Sequence, residues 1–386
     1  MIENFFETEF GHKIPITEEY RKAHNKADYR SFEETTFKKS KTFEEEKGEF
    51  LGDLFEYALV FDFLESWGIT NSFKTSLDIG GQQGFFSKLL TAEGKCQYSD
   101  CVEIYDYQSG FDFNKFVSFY SKLKLANNQV FRKISKLNRM FKSMEDKGTK
   151  FGYHSLHKSK LWNMQFPHSG TIRNYILDDV YNLNNKYDFI SAILCLSYFN
   201  HSKFFQKISN LLSENGVFVF LVDYWWWPVN STRIVGNFPY AAQRLSRTDF
   251  IRYVNEYHHE EKDQMLKKYD YFGNGISEKP TLQNYISEAE KHDLSLIGYN
   301  RFMPFQDTHL RTPMTPKILS QYSDTNLDEV LYDIHKFRSD VNIEDLKTSF
   351  ILVAFQKNSK KNKPISEYTN QLKKNGYGFY RKHTNN

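Results

Sequence analysis

The run Leu77-Asp78-Ile79-Gly80-Gly81-Gln82-Gln83-Gly84-Phe85-Phe86-Ser87 constrains this chain more than any other stretch. A short apolar run, 76–79, ends in a turn with three glycines, and 85–92 reads as a helix. The pattern is strand, glycine turn, helix. Gly80 and Gly84 can take backbone angles closed to other residues, and they leave no Cβ to keep a ligand from the main chain. The helix that follows starts with free N–H groups directed at the turn. Such an arrangement can receive part of a ligand.

The rest of the chain continues the alternation. Residues 51–67 carry Leu54, Tyr57, Ala58, Phe61 and Leu64 at helical spacing, with Gly68 placed as a C-cap. Strands are expected at 97–103, 173–177 and 187–194, the last a continuous apolar run of the kind buried in parallel sheets. A helix at 201–212, the turn Asn215-Gly216, a strand at 217–222 and a helix at 281–292 with Thr281 as N-cap come next. Late strands are expected at 294–299 and 349–355. The prediction is an α/β fold: a doubly wound, mostly parallel, seven-stranded sheet with helices on both faces and an antiparallel last strand. A helical segment over 1–74 precedes a domain over 75–357. Helical or irregular insertions at about 107–170 (helical over 113–146), 224–280 and 300–347 are expected to form a lid. Residues 358–386 form a basic tail. In such sheets ligands bind beyond the carboxyl ends of the strands.

The glycine run resembles motif I of the class I, Rossmann-like S-adenosylmethionine-dependent methyltransferases, with its D-x-G-x-x-x-G core at Asp78, Gly80 and Gly84. The resemblance spans about 75–223, and the two late strands are similar to the family's closing hairpin. It implies S-adenosylmethionine as cofactor, lying against Gly80, Gly81, Gln82, Gly84 and Phe85, with Asp78 beside the methionine amino group. Glu103 matches the family's acidic residue for the ribose hydroxyls, with Asp100 and Asp106 as rivals. Asp179, or its neighbour Asp178, matches the acidic residue near the adenine amino group. The stretch 186–199 resembles the fourth-strand region of small-molecule methyltransferases and puts Leu194 at the cofactor. Residues 211–219 resemble the turn into the fifth strand, with Asn215 where the family has glycine; asparagine also reaches left-handed angles. Two departures stand out: Gly81 where Cys or Ala is commoner, and Gln82-Gln83 where residues are small. A nicotinamide-dependent oxidoreductase would want G-x-G-x-x-G, which the spacing G-G-x-x-G does not supply.

Methyl transfer from a sulfonium is an in-line displacement, so the protein mainly aligns the acceptor and excludes water. A base is needed only where the acceptor must lose a proton early. His201, Tyr198 and Asp223 are the candidates; local hydrogen bonding is the alternative reading for His201, and a cap for Asp223. The stretch 194–199 lacks the Pro-Pro of the amino-methylating branches, and Cys195 lacks the Pro-Cys context of 5-methylcytosine enzymes. Tyr224, Trp225, Trp226 and Trp227 are adjacent, and neighbours on a strand alternate sides. They are candidates to line an acceptor pocket with Tyr240 and Arg244, and with Asn237, Phe238, Pro239 and Arg247 nearby. Packing of the 230–280 insertion onto the sheet is the competing reading.

Other features narrow the class. The net charge of +3 argues against a dedicated nucleic-acid binder. His154, His157 and His168 share no metal-ligand spacing, so no metal is expected. Three cysteines without C-x-x-C spacing give no disulfide framework, and Cys101 and Cys195 read as core residues. The N-terminus lacks a basic region followed by an apolar run, and the stretches 189–199 and 216–227 fall short of a bilayer span. The expectation is a cytoplasmic methyltransferase with a small-molecule or sugar-type acceptor, methylated at oxygen, without membrane attachment; the oligomeric state is left open. An RNA or protein methyltransferase docking through the basic tail, and a non-catalytic cofactor-binding scaffold, are the alternatives.

Overall fold

The computed structural model describes residues 4–23, 56–57, 59–61, 63–65, 67–69, 72–109, 111, 170–224, 226, 236–271, 279–302, 324–348 and 350–358. The helical stretch expected at 113–146, the tail at 358–386 beyond residue 358, His154, His157, His168, Trp225 and Trp227 lie outside the described residues. Among the described residues the strands are β1 (Phe5–Glu7), β2 (Lys13–Pro15), β3 (Phe73–Ile79), β4 (Cys96–Glu103), β5 (Asn174–Leu177), β6 (Tyr187–Ile193), β7 (Leu212–Asp223), β8 (Leu294–Phe302) and β9 (Phe350–Lys357). The α-helices among the described residues include α1 (Glu18–Ala23), α2 (Phe85–Ala92), α3 (His201–Leu211), α4 (Ala241–Arg244), α5 (Arg247–Tyr257), α6 (Lys262–Tyr271), α7 (Leu282–Glu290), α8 (Leu327–Ile334) and α9 (Ile343–Leu346).

Strand β7 shows why the sheet is covered on both sides. Phe218, Phe220 and Val222 join one buried cluster, while Val217, Val219 and Leu221 join another. A strand apolar on both faces needs a helical layer on each. Phe204, Phe205 and Ile208 of α3 and Tyr285 and Ile286 of α7 supply the first. Phe61, Phe63 and Leu64 join Phe85, Phe86 and Leu89 of α2 in the second. Each fully buried Phe or Leu contributes about 1.5–3 kcal/mol.

The seven-stranded sheet runs β5-β4-β3-β6-β7-β9-β8. Its pairs are parallel except those of β9, which is antiparallel to both β7 and β8. This is the doubly wound sheet with an antiparallel last strand that the sequence predicts. From β3 the chain moves outward through β4 to β5, then returns to β6 on the other side of β3. The order reverses between β3 and β6, and the carboxyl ends of these two strands border the crevice where such sheets bind ligands.

The N-terminal segment differs from the helical reading. Residues 5–15 include the antiparallel pair β1–β2, before α1 and the helical residues 56–57, 59–61 and 63–65. Each strand has three residues with only the middle one buried, too short for period-2 alternation to register in the sequence. Phe6 and Ile14 pack with Phe238, Leu245, Phe250, Tyr253, Met265 and Tyr269 of the 236–271 segment. Polar links reinforce this. The Glu9 N–H donates to Asp249 Oδ1 at 3.0 Å, and Thr17 donates to the Asn237 carbonyl. The expected insertions thus contain α4, α5 and α6, and later α8 and α9. No described helix is long and apolar enough to cross a membrane.

Candidate functional site

Strand β3 places Asp78 opposite Ser191 of β6 and Cys101 of β4. The Ser191 hydroxyl donates to Asp78 Oδ1 at 2.7 Å. Asp78 Oδ2 is buried and has no partner among the described residues. Burial pushes the Asp78 pKa up to about 7; the Ser191 hydrogen bond opposes this and the nearby Glu103 charge adds to it. A buried, unpartnered carboxylate oxygen is costly, and such an atom in a ligand crevice marks the place of a missing donor or cation.

Glu103 ends β4 and is 8 % exposed. Its Oε1 accepts from the Gln82 N–H at 2.7 Å and its Oε2 from the Ile104 N–H at 3.3 Å. Burial raises its pKa to about 7 against these two bonds. The rivals are committed elsewhere. Asp100 is fully buried, where Arg173 grips it through Nε at 2.9 Å, and Asn174 and Tyr187 also donate to it. Asp106 accepts the N–H groups of Gln108 and Ser109. Glu103 alone of the three is bonded to the glycine turn in these contacts.

Between the two carboxylates the main chain bends through positive φ at Gly80 (67°), Gln82 (50°) and Gly84 (76°). A Cβ at Gly81 would overlap Asp78 Oδ2 and come within 2.8 Å of Cys101 Sγ. One at Gly80 would meet Cys195 Cβ at 2.7 Å. Gly81, where the resemblance has Cys or Ala more often, is therefore required here by the Asp78 carboxylate. Gly84 precedes α2 as its N-cap. Phe85 offers a ligand only its main chain, because its ring is buried against Phe111. On the other side of the crevice Leu194 has φ +58° and donates its N–H to the Leu221 carbonyl at 2.7 Å. A left-handed leucine costs about 1–2 kcal/mol, and such strain clusters at ligand sites.

Asp178 and Asp179 follow β5 and serve as local caps. Asp178 accepts from the Asp179 N–H and from Asn182 Nδ2, both at 2.7 Å, and the Asn182 bond lowers its pKa. Asp179 accepts from the Tyr181 N–H at 3.0 Å.

The remaining candidates fall in two groups. Tyr198, 59 % exposed, and Asp223, at the end of β7, lie at the carboxyl end of the sheet. His201, a candidate base in the sequence, starts α3 in a packed setting. Its ring meets the edge of Tyr285 on α7 with centroids 5.1 Å apart, and Nε2 is buried without a partner among the described residues. Burial lowers its pKa to about 4, with Lys279 adding to the effect. Of the residues expected to line an acceptor pocket, Tyr224, Trp226 and Tyr240 are buried and Arg244 is ion-paired. The Tyr224 hydroxyl donates to Asp345 Oδ1 at 2.6 Å and accepts from the Leu282 N–H at 2.8 Å. Trp226 is fully buried under Arg338, whose guanidinium lies 5.1 Å from the ring centroid. Tyr240 donates to the Leu346 carbonyl at 3.0 Å, and Arg244 pairs with Asp333 at 2.7 Å. Asp333 also holds His12, which secures the N-terminal hairpin to α8. These contacts tie the described residues of the 224–280 segment to α7, α8, α9 and Arg338.

Three residues at the site escaped the sequence. Ser191 lies inside an apolar strand run, and only the register with Asp78 reveals its part. Tyr175 donates to the Gln82 carbonyl at 2.8 Å. Ile104 follows Glu103 and is 62 % exposed, an apolar face beside the carboxylate. No group of three His, Cys, Asp or Glu that could hold a metal ion occurs among the described residues.

The sequence matches no family model, and none of the curated proteins resembles it. Solved structures of low similarity include an S-adenosylmethionine-dependent methyltransferase from Mesorhizobium loti, at 12% identity over 75% of this chain and 92% of that one, with a TM-score of 0.33. Another is a geranyl diphosphate C-methyltransferase from Streptomyces coelicolor, at 11% identity over 78% and 75%, with a TM-score of 0.36. A third is a phosphoethanolamine N-methyltransferase from Haemonchus contortus, at 13% identity over 78% and 52%, with a TM-score of 0.35. The fold is carried by the strand order itself, and any function by the site.

Proposed function

We propose that this chain is an S-adenosylmethionine-dependent methyltransferase acting on a small-molecule or sugar-type acceptor, at oxygen. The observation that carries the reading is the pair of buried carboxylates, Asp78 and Glu103, set on either side of the 80–84 turn at the point where the strand order reverses. The bare Asp78 Oδ2 suits an ammonium group. The lone pairs that Glu103 keeps beyond its two backbone bonds suit vicinal hydroxyls. Ile104 offers a flat apolar contact for an aromatic base. Asp178 and Asp179 would reach an exocyclic amino group with the lone pairs their caps leave.

When bound, the cofactor supplies an activated methyl group. The chain's part is alignment and exclusion of water. Tyr198 and Asp223 face the acceptor side, and Asp223 takes the proton where the acceptor is a hydroxyl. Calorimetric titration with S-adenosylmethionine and S-adenosylhomocysteine tests the cofactor; no heat from either sinks the proposal. Transfer of a labelled methyl group to small-molecule lysate fractions tests the reaction. Binding without transfer to any fraction would make the chain a scaffold instead.

A further inference from the structure

We propose that Tyr175 is a positioning residue for the cofactor turn, holding the Gln82 peptide in its left-handed conformation; this rests on the methyltransferase reading above. Gln82 has φ +50°, a region that residues with a Cβ avoid. Both of its main-chain polar groups are held. The N–H donates to Glu103 Oε1 at 2.7 Å, and the carbonyl accepts from Tyr175 Oη at 2.8 Å. The next carbonyl, of Gln83, accepts from Gln108 Nε2 at 3.2 Å. The same Tyr175 oxygen accepts from the Tyr107 N–H at 3.3 Å. One hydroxyl therefore joins the turn after β3, the loop after β4 and strand β5.

The chemistry of the hydroxyl suits this role. Burial pushes the phenol well above its usual range, so it stays protonated and donating at any physiological pH. The clamp also accounts for Gln82 at a place where the motif the sequence resembles has a small residue. A glycine would reach the left-handed angle unaided; a glutamine is held there. A turn fixed before its ligand arrives loses less freedom on binding. Without the hydroxyl the peptide can relax, and Glu103, bonded to the same residue, loses its register with the turn.

The test uses Tyr175→Phe in the full chain. Titration with S-adenosylmethionine should show a Kd raised about 3- to 10-fold, the worth of one hydrogen bond. The melting temperature should stay within about 2 °C of the parent. Gln82→Gly in the Tyr175→Phe background should return Kd to within about 2-fold of the parent, since glycine needs no clamp. Amide exchange over 80–84 should rise in Tyr175→Phe with no ligand added, a readout that survives even if the parent binds no cofactor. Unchanged Kd, unchanged exchange, or a loss of affinity that Gln82→Gly fails to restore would overturn the role. Absence of heat from the parent protein would overturn the methyltransferase reading instead.

Discussion

Ser191 and Asp78 face each other in register across β6 and β3, and the serine hydroxyl holds one carboxylate oxygen while the other stays bare. This arrangement fixes a pH dependence. Asp78 and Glu103 titrate near 7 in the folded protein, against about 4 in an unfolded chain. Between these values the folded state holds protons that the unfolded state has lost. Their stabilising contribution is complete below about pH 4 and is lost as pH rises through about 7. Melting of the ligand-free protein across that window should show the fall, and Asp78→Asn should flatten it. Affinity for S-adenosylmethionine should move the opposite way, rising toward neutrality as Asp78 ionises to meet an ammonium group. A flat affinity profile from about pH 5 to 8 would contradict this.

Gly81 and Gly94 should respond differently to the same substitution. Gly94 has φ +66° with nothing near the added methyl, so Gly94→Ala costs about 1 kcal/mol in stability and leaves ligand affinity unchanged. Gly81→Ala pushes a methyl into Asp78 Oδ2 and should weaken S-adenosylmethionine binding by at least about 10-fold. Calorimetry on the two variants compares them directly.

Tyr224→Phe separates a packing role for Tyr224 from a place in the acceptor pocket. It removes a donor to Asp345 and an acceptor for the Leu282 N–H, while Arg301 continues to hold Asp345 at 2.8 Å. The expected loss is about 1–3 kcal/mol in urea unfolding, with the acceptor KM unchanged. A KM that rises without any loss of stability would return Tyr224 to the pocket.

His201 and Asp223 should separate in a pH–rate profile. His201→Gln removes a ring that is packed on Tyr285 and stays neutral above about pH 4, so the profile should keep its shape. Asp223→Asn should slow transfer to a hydroxyl acceptor about 100-fold, the usual worth of a positioned base. A profile that loses its limb only in the His201 variant would reverse the assignment.

The sheet was legible because its signals are local. Continuous apolar runs such as 187–193 declare buried parallel strands, and the glycine turn declares the first crossover. Asp78 and Glu103 could be singled out because each lies at the carboxyl end of a short strand pattern next to the glycine turn. Ser191 and Tyr175 could not, since their parts depend on register and on which strand lies next to which. The contacts of the described aromatic residues after β7 were not legible for a physical reason. Alternation implies that some of them leave the core only while the segment remains a strand, and the strand ends at Asp223. Beyond it, Tyr224 and Trp226 turn inward onto polar partners drawn from α7, α9 and Arg338. The hairpin at 5–15 stayed hidden because its three-residue strands owe their order to the distant 236–271 segment.

Strand β9 lies between β7 and β8, yet it is the last of the three to leave the ribosome. Until residues 350–357 emerge, a growing chain holds β7, paired only with β6, and β8 across a vacant lane, each with an unpaired edge facing it. Residues 351–355 are entirely buried once in place, so the lane is as sticky as it is open. Translation that stalls just short of this segment should yield protein that pairs with its own kind, and a supplied peptide of the β9 sequence should compete with that aggregation.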